Sequence, residues 1–162
     1  MTPTLMGRRC LISIGTAAAL ATGTGLVAPL RAQGLAATRS MRGGSNNYLP
    51  DAPIVDRIGG GGFLMLGTVR RAGDGAPLEG VRIQIWAHTT EGHERDPWSH
   101  GATLTNADGI FQLDMPQIVP AFGQPHGHLA YDSGEFDTVF LRPVMETARD
   151  TSLSAHFVLR PA

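Results

Sequence analysis

The sequence predicts an all-β protein, an antiparallel β-sandwich of about seven short strands. Three observations carry that expectation. From Phe63 onward, short apolar or alternating runs follow one another, separated by turn residues. The connections Ala72-Gly73-Asp74-Gly75-Ala76-Pro77 and Asn106-Ala107-Asp108-Gly109 supply the glycine, asparagine and aspartate that tight reversals need. No stretch beyond residue 32 carries a helical period, and residues 144–152 offer one short turn of helix at most.

In chain order, residues 1–32 stand apart from the sandwich. They open with Arg8-Arg9-Cys10, run uncharged through Ala, Gly and Thr to Leu30, and end on Arg31-Ala32-Gln33. A basic start, a weakly hydrophobic run and a small-residue exit describe a secretory signal. The paired arginines resemble the twin-arginine type, with cleavage expected after Ala32. Gly15, Gly23, Gly25 and the threonines dilute the run as a membrane span. The expectation is therefore an exported protein, periplasmic or secreted, without a membrane anchor after cleavage. Cys10 falls within the signal, so the mature domain has neither disulfides nor thiol chemistry. The remaining chain of about 130 residues suffices for one core and not two. It holds 10 arginines against 14 acids, a formal charge of −4, which excludes nucleic acid as a partner by charge.

Residues 33–62 include Gly43-Gly44-Ser45-Asn46-Asn47 and Gly59-Gly60-Gly61-Gly62 and show no hydrophobic period. They read as a flexible, Gly-rich arm that packs at most locally. Residues 63–162 form the sandwich domain. Its strands are expected at Phe63–Arg70, Val81–Ala87, Gly101–Thr105, Ile110–Asp114, His126–Tyr131, Phe136–Arg142 and Ser154–Arg160. In the second run Val81, Ile83 and Ile85 share one face and Arg82, Gln84 and Trp86 the other, the pattern of a sheet with one side in a core.

The residues that suggest chemistry are His126-Gly127-His128. In a strand, side chains two apart look the same way, so His126 and His128 can converge on one metal ion. Ser99, His100 and Asp108 do not form a hydrolase triad, because no nucleophile elbow is present. Gly59–Gly62 lacks the strand before and the helix after that a phosphate loop requires.

Between Gly67 and His128 the chain resembles the intradiol ring-cleavage dioxygenases, the catechol and protocatechuate dioxygenase family. The resemblance rests on Gly67-Thr68-Val69, on Gly75-Ala76-Pro77-Leu78-Glu79-Gly80-Val81-Arg82-Ile83-Gln84-Ile85-Trp86, and on Thr105-Asn106-Ala107-Asp108-Gly109-Ile110-Phe111-Gln112-Leu113. Pro125-His126-Gly127-His128 stands where the family has its paired histidines. The resemblance implies a prealbumin- or immunoglobulin-like sandwich, a non-haem iron bound by His126 and His128, and oxidative ring cleavage of a catechol-type aromatic diol. The glycine-proline pattern alone is also similar to transthyretin-like and carboxypeptidase-regulatory-like modules. Only Ile85-Trp86 and the histidine pair separate the two resemblances.

The chain departs from the dioxygenase pattern at the remaining ligands. The family completes its iron site with two tyrosinates. Here the matching positions are His93 or Glu94 for the first and Val119 or Phe122 for the second. Only Tyr48 and Tyr131 exist in the whole chain, one in the arm and the other on the opposite strand face from His128. The family's arginine before the histidine pair is absent from Phe122-Gly123-Gln124-Pro125. The expected ligand set is His126 and His128 with His93 or Glu94, and His88, His100 and Asp96 lie in the same loop. His93 is assigned to the metal and Glu94 to catalysis. Such a set suits Fe(II), Zn, Cu or Mn as well as Fe(III). The alternative is a non-catalytic sandwich of the cell envelope that binds a metal or an aromatic ligand.

Overall fold

The computed structural model describes residues 34–162, and the segment read as an export signal lies outside them. Seven strands form: β1 (Phe63–Arg71), β2 (Arg82–Ala87), β3 (His100–Leu104), β4 (Ile110–Met115), β5 (Gly127–Tyr131), β6 (Val139–Leu141) and β7 (Ser152–Leu159). They build two sheets, ordered β4-β1-β7 and β3-β2-β5-β6. Pairing is antiparallel except between β1 and β7, which run parallel with Gly67 opposite Ala155. Residues 144–152 hold bends and turns rather than helix, and the helical turn among the described residues is a 3-10 turn at Pro97–Ser99. β6 is shorter than its apolar run because Phe136 pairs with Pro161 beyond the end of β7.

The core lies between the sheets. Phe63, Met65, Val69, Phe111, Leu113, Met115, Phe157 and Leu159 from one sheet meet Ile83, Ile85, Leu129, Tyr131, Val139 and Leu141 from the other. Each is an inward position of the period-two pattern. Gly67 is one of them. A Cβ there would collide with the Ala155 carbonyl and lie 2.6 Å from Phe111 Cζ, so glycine permits the close approach of β1 and β7.

Two expectations change together. Residues 34–62 do not pack merely locally, and the four-stranded sheet does not leave one side in solvent. The arm hydrogen-bonds the β7 edge at Thr38, with its N–H donating to the Val158 carbonyl at 2.9 Å, and the β6 edge at Met41, donating to the Phe140 carbonyl at 2.7 Å. It then crosses the outer face of the four-stranded sheet, where its carbonyls accept from the side chains below. Trp86 Nε1 donates to Asn46 O at 2.9 Å, Gln84 Nε2 to Leu49 O at 2.6 Å, and Arg82 to Ala52 O. It leaves along β3, with Val55 N–H on the Ala102 carbonyl, and reaches β4 at Ile58, whose side chain enters the core. The arm has no hydrophobic period because it is held mainly by backbone hydrogen bonds, which a periodicity reading does not register. In consequence Gln84 and Trp86, on the face expected to be wet, are fully buried.

Replacing Gly67 with alanine should therefore force β1 away from β7. The expected loss is about 3 kcal/mol or more of unfolding free energy, read as a lower urea midpoint at unchanged slope.

Candidate metal centre

The site is built on the outer face of the four-stranded sheet, beneath the arm. Trp86 in β2 pairs with His100 in β3 and with His128 in β5, so three rings lie side by side across three strands. Trp86 stacks on both, at 5.4 Å and 10° to His100 and at 5.1 Å and 11° to His128. His126 precedes β5 by one residue and shares the face of His128, their ring centroids 5.0 Å apart.

Glu94 comes from the loop after β2. That loop is shaped by a short turn in which Asp96 Oδ2 accepts from the His93 N–H at 2.7 Å and the Asp96 N–H donates to the His93 carbonyl at 2.9 Å. His100 Nε2 donates to the Glu94 carbonyl at 2.9 Å, so the stack anchors the backbone that carries the carboxylate. The Glu94 side chain turns inward. Its Oε1 accepts from Asn47 Nδ2 of the arm at 2.6 Å, and its Oε2 lies 3.3 Å from His128 Nε2 and 3.6 Å from His126 Nε2.

The protonation pattern follows from the partners. His128 Nδ1 donates to the Gly44 carbonyl at 3.0 Å and His126 Nδ1 to the Gln124 carbonyl at 2.8 Å. In the neutral form each imidazole therefore presents a bare lone pair at Nε2. Burial lowers the pKa of His128, and the nearby Glu94 carboxylate opposes this without reversing it. Burial lowers that of His100 as well. Two imidazole lone pairs and one carboxylate oxygen thus face each other with no donor among them. His128 Nε2 and Glu94 Oε2 are buried without a hydrogen-bond partner.

Unmatched acceptors of this kind call for a cation. Glu94, His126 and His128 bring three ligand atoms within 4.8 Å of one another. Atoms bound to one ion at about 2.1 Å, with angles between 90° and 120°, stand roughly 3.0–3.6 Å apart, and Glu94 Oε2 lies 3.3 and 3.6 Å from the two histidine Nε2 atoms. The residues present fit a metal, and their set of two histidines and one carboxylate leaves coordination positions open.

Those positions face a cleft of about 360 Å³ lined by Asn46, Asn47, Glu94, Arg95, Phe122, His126 and Arg142. Arg142 Nη2 comes within 3.3 Å of His126 Nδ1. That nitrogen already donates to Gln124, so the guanidinium keeps its donors for the cleft. Among the described residues neither Arg95 nor Arg142 has a carboxylate partner, and Glu94 is the one acid lining the cleft.

The structure separates the adjacent candidates His93 and Glu94. Glu94 joins the histidine pair, whereas His93 packs on His88 at 4.9 Å and on Phe122 at 6.4 Å. Asp96 caps the His93 N–H and His100 holds the Glu94 backbone, so neither is placed with the pair. Sequence reading missed Asn47 and Arg142. Asn47 gave no signal, being one polar residue in an aperiodic arm. Arg142 did: in the β6 run Val139 and Leu141 point inward, which sends Phe140 and Arg142 to the face of the histidines.

Neither a family model nor a curated protein sequence matches the chain. Solved structures do. The 3-chlorocatechol 1,2-dioxygenase of Rhodococcus opacus 1CP superposes with a TM-score of 0.58 at 17% identity, over 80% of this chain and 74% of its own. The hydroxyquinol 1,2-dioxygenase of Pseudomonas putida DLL-E4 gives 0.59 at 13%, over 79% and 68%. The dioxygenase domain of a dioxygenase and carbohydrate-binding fusion from Streptomyces sp. SirexAA-E gives 0.58 at 18%, over 78% and 99%. The fold is that of the intradiol dioxygenases.

On that intradiol dioxygenase fold, the departures read from the sequence gather at the cleft. Of the two residues matched to the first tyrosine, Glu94 points to the histidine pair. Of the two matched to the second, Phe122 stands at the rim, 88% exposed, with a left-handed φ of 55°. Tyr131 faces the core, its hydroxyl accepting from the Phe136 N–H at 3.2 Å. Tyr48 packs against Trp86 at 5.7 Å and Phe140 at 5.1 Å. Neither tyrosine lines the cleft.

Glu94→Gln replaces the carboxylate with an amide that can donate to His128 Nε2 while still accepting from Asn47. At pH 8 with chelator, the variant should gain about 1 kcal/mol of stability in urea denaturation. It should also lose metal binding by elemental analysis, and stoichiometric metal in it would refute Glu94 as a ligand.

Proposed function

We propose that the protein is exported by its amino-terminal signal and acts in the periplasm or outside the cell. There it would serve as a metal-dependent oxidoreductase of the intradiol dioxygenase type, opening the ring of a catechol-type aromatic diol. The observation that supports this most is the buried trio Glu94, His126 and His128 on a dioxygenase fold, in which Glu94 Oε2 and His128 Nε2 have no hydrogen-bond partner. Glu94 Oε2 and the Nε2 atoms of His126 and His128 would hold the ion. Non-haem iron is the metal we favour, since two histidines and a carboxylate suit iron with open positions. When bound, it would supply Lewis acidity and redox chemistry toward a diol and oxygen.

The chain's own residues do the rest. The carboxylate of Glu94 is committed on one oxygen to Asn47 and on the other to the centre, so it serves as a ligand and not as a proton acceptor. A cleft of about 360 Å³ is at the small end of ligand sites and suits a single aromatic ring. Arg142 offers guanidinium donors to the oxygens of a bound diol and favours their anionic form electrostatically. Phe122 supplies an apolar face at the rim.

Iron-loaded protein should consume oxygen with catechol and yield a ring-opened dicarboxylate, and Glu94→Gln and His128→Ala should abolish both. Metal without turnover would favour the second reading, a non-catalytic metal-binding module, which the absence of tyrosine from the cleft supports. Removing the guanidinium by Arg142→Met should lower kcat/KM roughly ten- to hundredfold with metal content unchanged, since a hydrogen bond to a charged group contributes about 1.5–3 kcal/mol. Unchanged kinetics would exclude Arg142 from substrate contact.

A further inference from the structure

The turn Gly44–Asn47 touches the candidate centre twice. The Gly44 carbonyl accepts from His128 Nδ1 at 3.0 Å, which fixes the ring and leaves its Nε2 free for an ion. Asn47 Nδ2 donates to Glu94 Oε1 at 2.6 Å, which leaves Oε2 for the same ion. Between them, the Asn46 carbonyl accepts from Trp86 Nε1 at 2.9 Å, the ring on which His128 stacks. A four-residue turn of the arm orients one histidine, the carboxylate and the ring behind the histidine.

The backbone of this turn is specialised. Asn47 has a φ of 57°, a left-handed conformation that asparagine, aspartate and glycine accept more readily than other residues. At Gly44 a Cβ would lie 2.8 Å from the backbone of Phe140, so glycine is required where the arm passes over β6. Besides its backbone bonds to the strand edges, the arm is held by hydrogen bonds with side chains, and two of those side chains, His128 and Glu94, are proposed ligands. Groups that hydrogen-bond metal ligands from behind commonly change metal affinity ten- to hundredfold.

Resting on the metal reading above, we infer that the turn is part of the metal centre. Asn47 is a positioning residue for Glu94, and docking of the arm and occupancy of the centre form one linked equilibrium. Linkage is reciprocal: what the docked arm contributes to metal affinity, the metal contributes to arm docking.

The test uses cobalt(II), whose visible absorption reports its ligands, with hydrogen exchange of residues 41–52. In native protein at a hundredfold excess over Kd, metal should slow exchange through arm opening by up to about a hundredfold. Asn47→Gly and Asn47→Asp both keep the left-handed turn but remove the donor, and Asn47→Asp adds a negative charge facing Glu94. Kd should rise roughly ten- to hundredfold in both, further in Asn47→Asp, while metal-free Asn47→Gly still unfolds cooperatively, at a urea midpoint lowered only by the loss of one hydrogen bond. A role in forming the turn alone would leave both variants with native Kd, and that result overturns the inference, as does native protein that binds cobalt(II) without slowing exchange in the arm. Native protein that binds no cobalt(II) would instead refute the metal reading and this inference with it. Should Asn47→Asp not fold, Asn47→Gly and the exchange of native protein decide.

Discussion

Burying the second face of a sheet is the constraint on which the rest of this structure depends. A sandwich sheet ordinarily keeps polar side chains on its outer face because water satisfies them. Here residues 34–62 cover that face, and Arg82, Gln84, Trp86 and His128 each need a replacement partner. The arm supplies one carbonyl to each: Ala52, Leu49, Asn46 and Gly44. Along β2 the contacts run in opposite order in the two segments, so the arm lies antiparallel above the strand without joining the ladder. The same segment engages the edges of β7, β6, β3 and β4. Sheet edges that would otherwise be open to pairing are covered.

Satisfying donors in this way has a chemical consequence. Backbone carbonyls only accept, so each side chain the arm orients directs its proton toward the arm. For His128 this assigns the proton to Nδ1 and leaves Nε2 bare, and the Gln124 carbonyl does the same for His126. Asn47 adds a side-chain donor at the centre, and it engages the outer oxygen of Glu94. What remains at the centre is a set of acceptors. The candidate metal site is in this sense what remains once the Nδ1 donors of His128 and His126 have been matched by the Gly44 and Gln124 carbonyls.

The sandwich was legible because its information is periodic. Alternation in the run Val81–Ala87 and glycine-aspartate turns at 72–77 and 106–109 mark strands whatever lies above them. The parallel pairing of β1 with β7 was not legible, since it joins the ends of the domain and depends on Gly67 tolerating a close neighbour. The histidine pair was legible for the same reason as the strands, a spacing of two. The choice between His93 and Glu94 was not, because a loop has no period, and the turn closed by Asp96 decides which of two adjacent side chains points inward. Arg142 could have been found, since it shares its parity with Phe140 on a strand whose inward residues are plain. Asn47 could not, because nothing local distinguishes it from Asn46, and its role is set by Glu94, 47 positions away.

The centre also bears on stability. Leaving a buried acceptor without a donor costs about 1–3 kcal/mol, and domains of this size are stable by only about 5–15 kcal/mol. The unpartnered Glu94 Oε2 and His128 Nε2 are therefore a substantial local deficit, and the fold sustains it through structure that the ion does not touch. His128 is held from three sides, by the Gly44 carbonyl, by the Trp86 ring and by the β5 backbone, and Glu94 by Asn47 and by His100 on its own carbonyl. Each ligand is fixed by groups whose own positions come from the sandwich or from the arm lying on it. Ligands held in this manner lose little freedom when an ion arrives, so more of the interaction energy appears as affinity. The same rigidity preserves the acceptor-only geometry when no ion is bound, because the carboxylate cannot swing out to water without breaking its bond to Asn47. A centre assembled this way is pre-formed by the fold, and the arm, which carries no metal ligand of its own, decides how well it is formed.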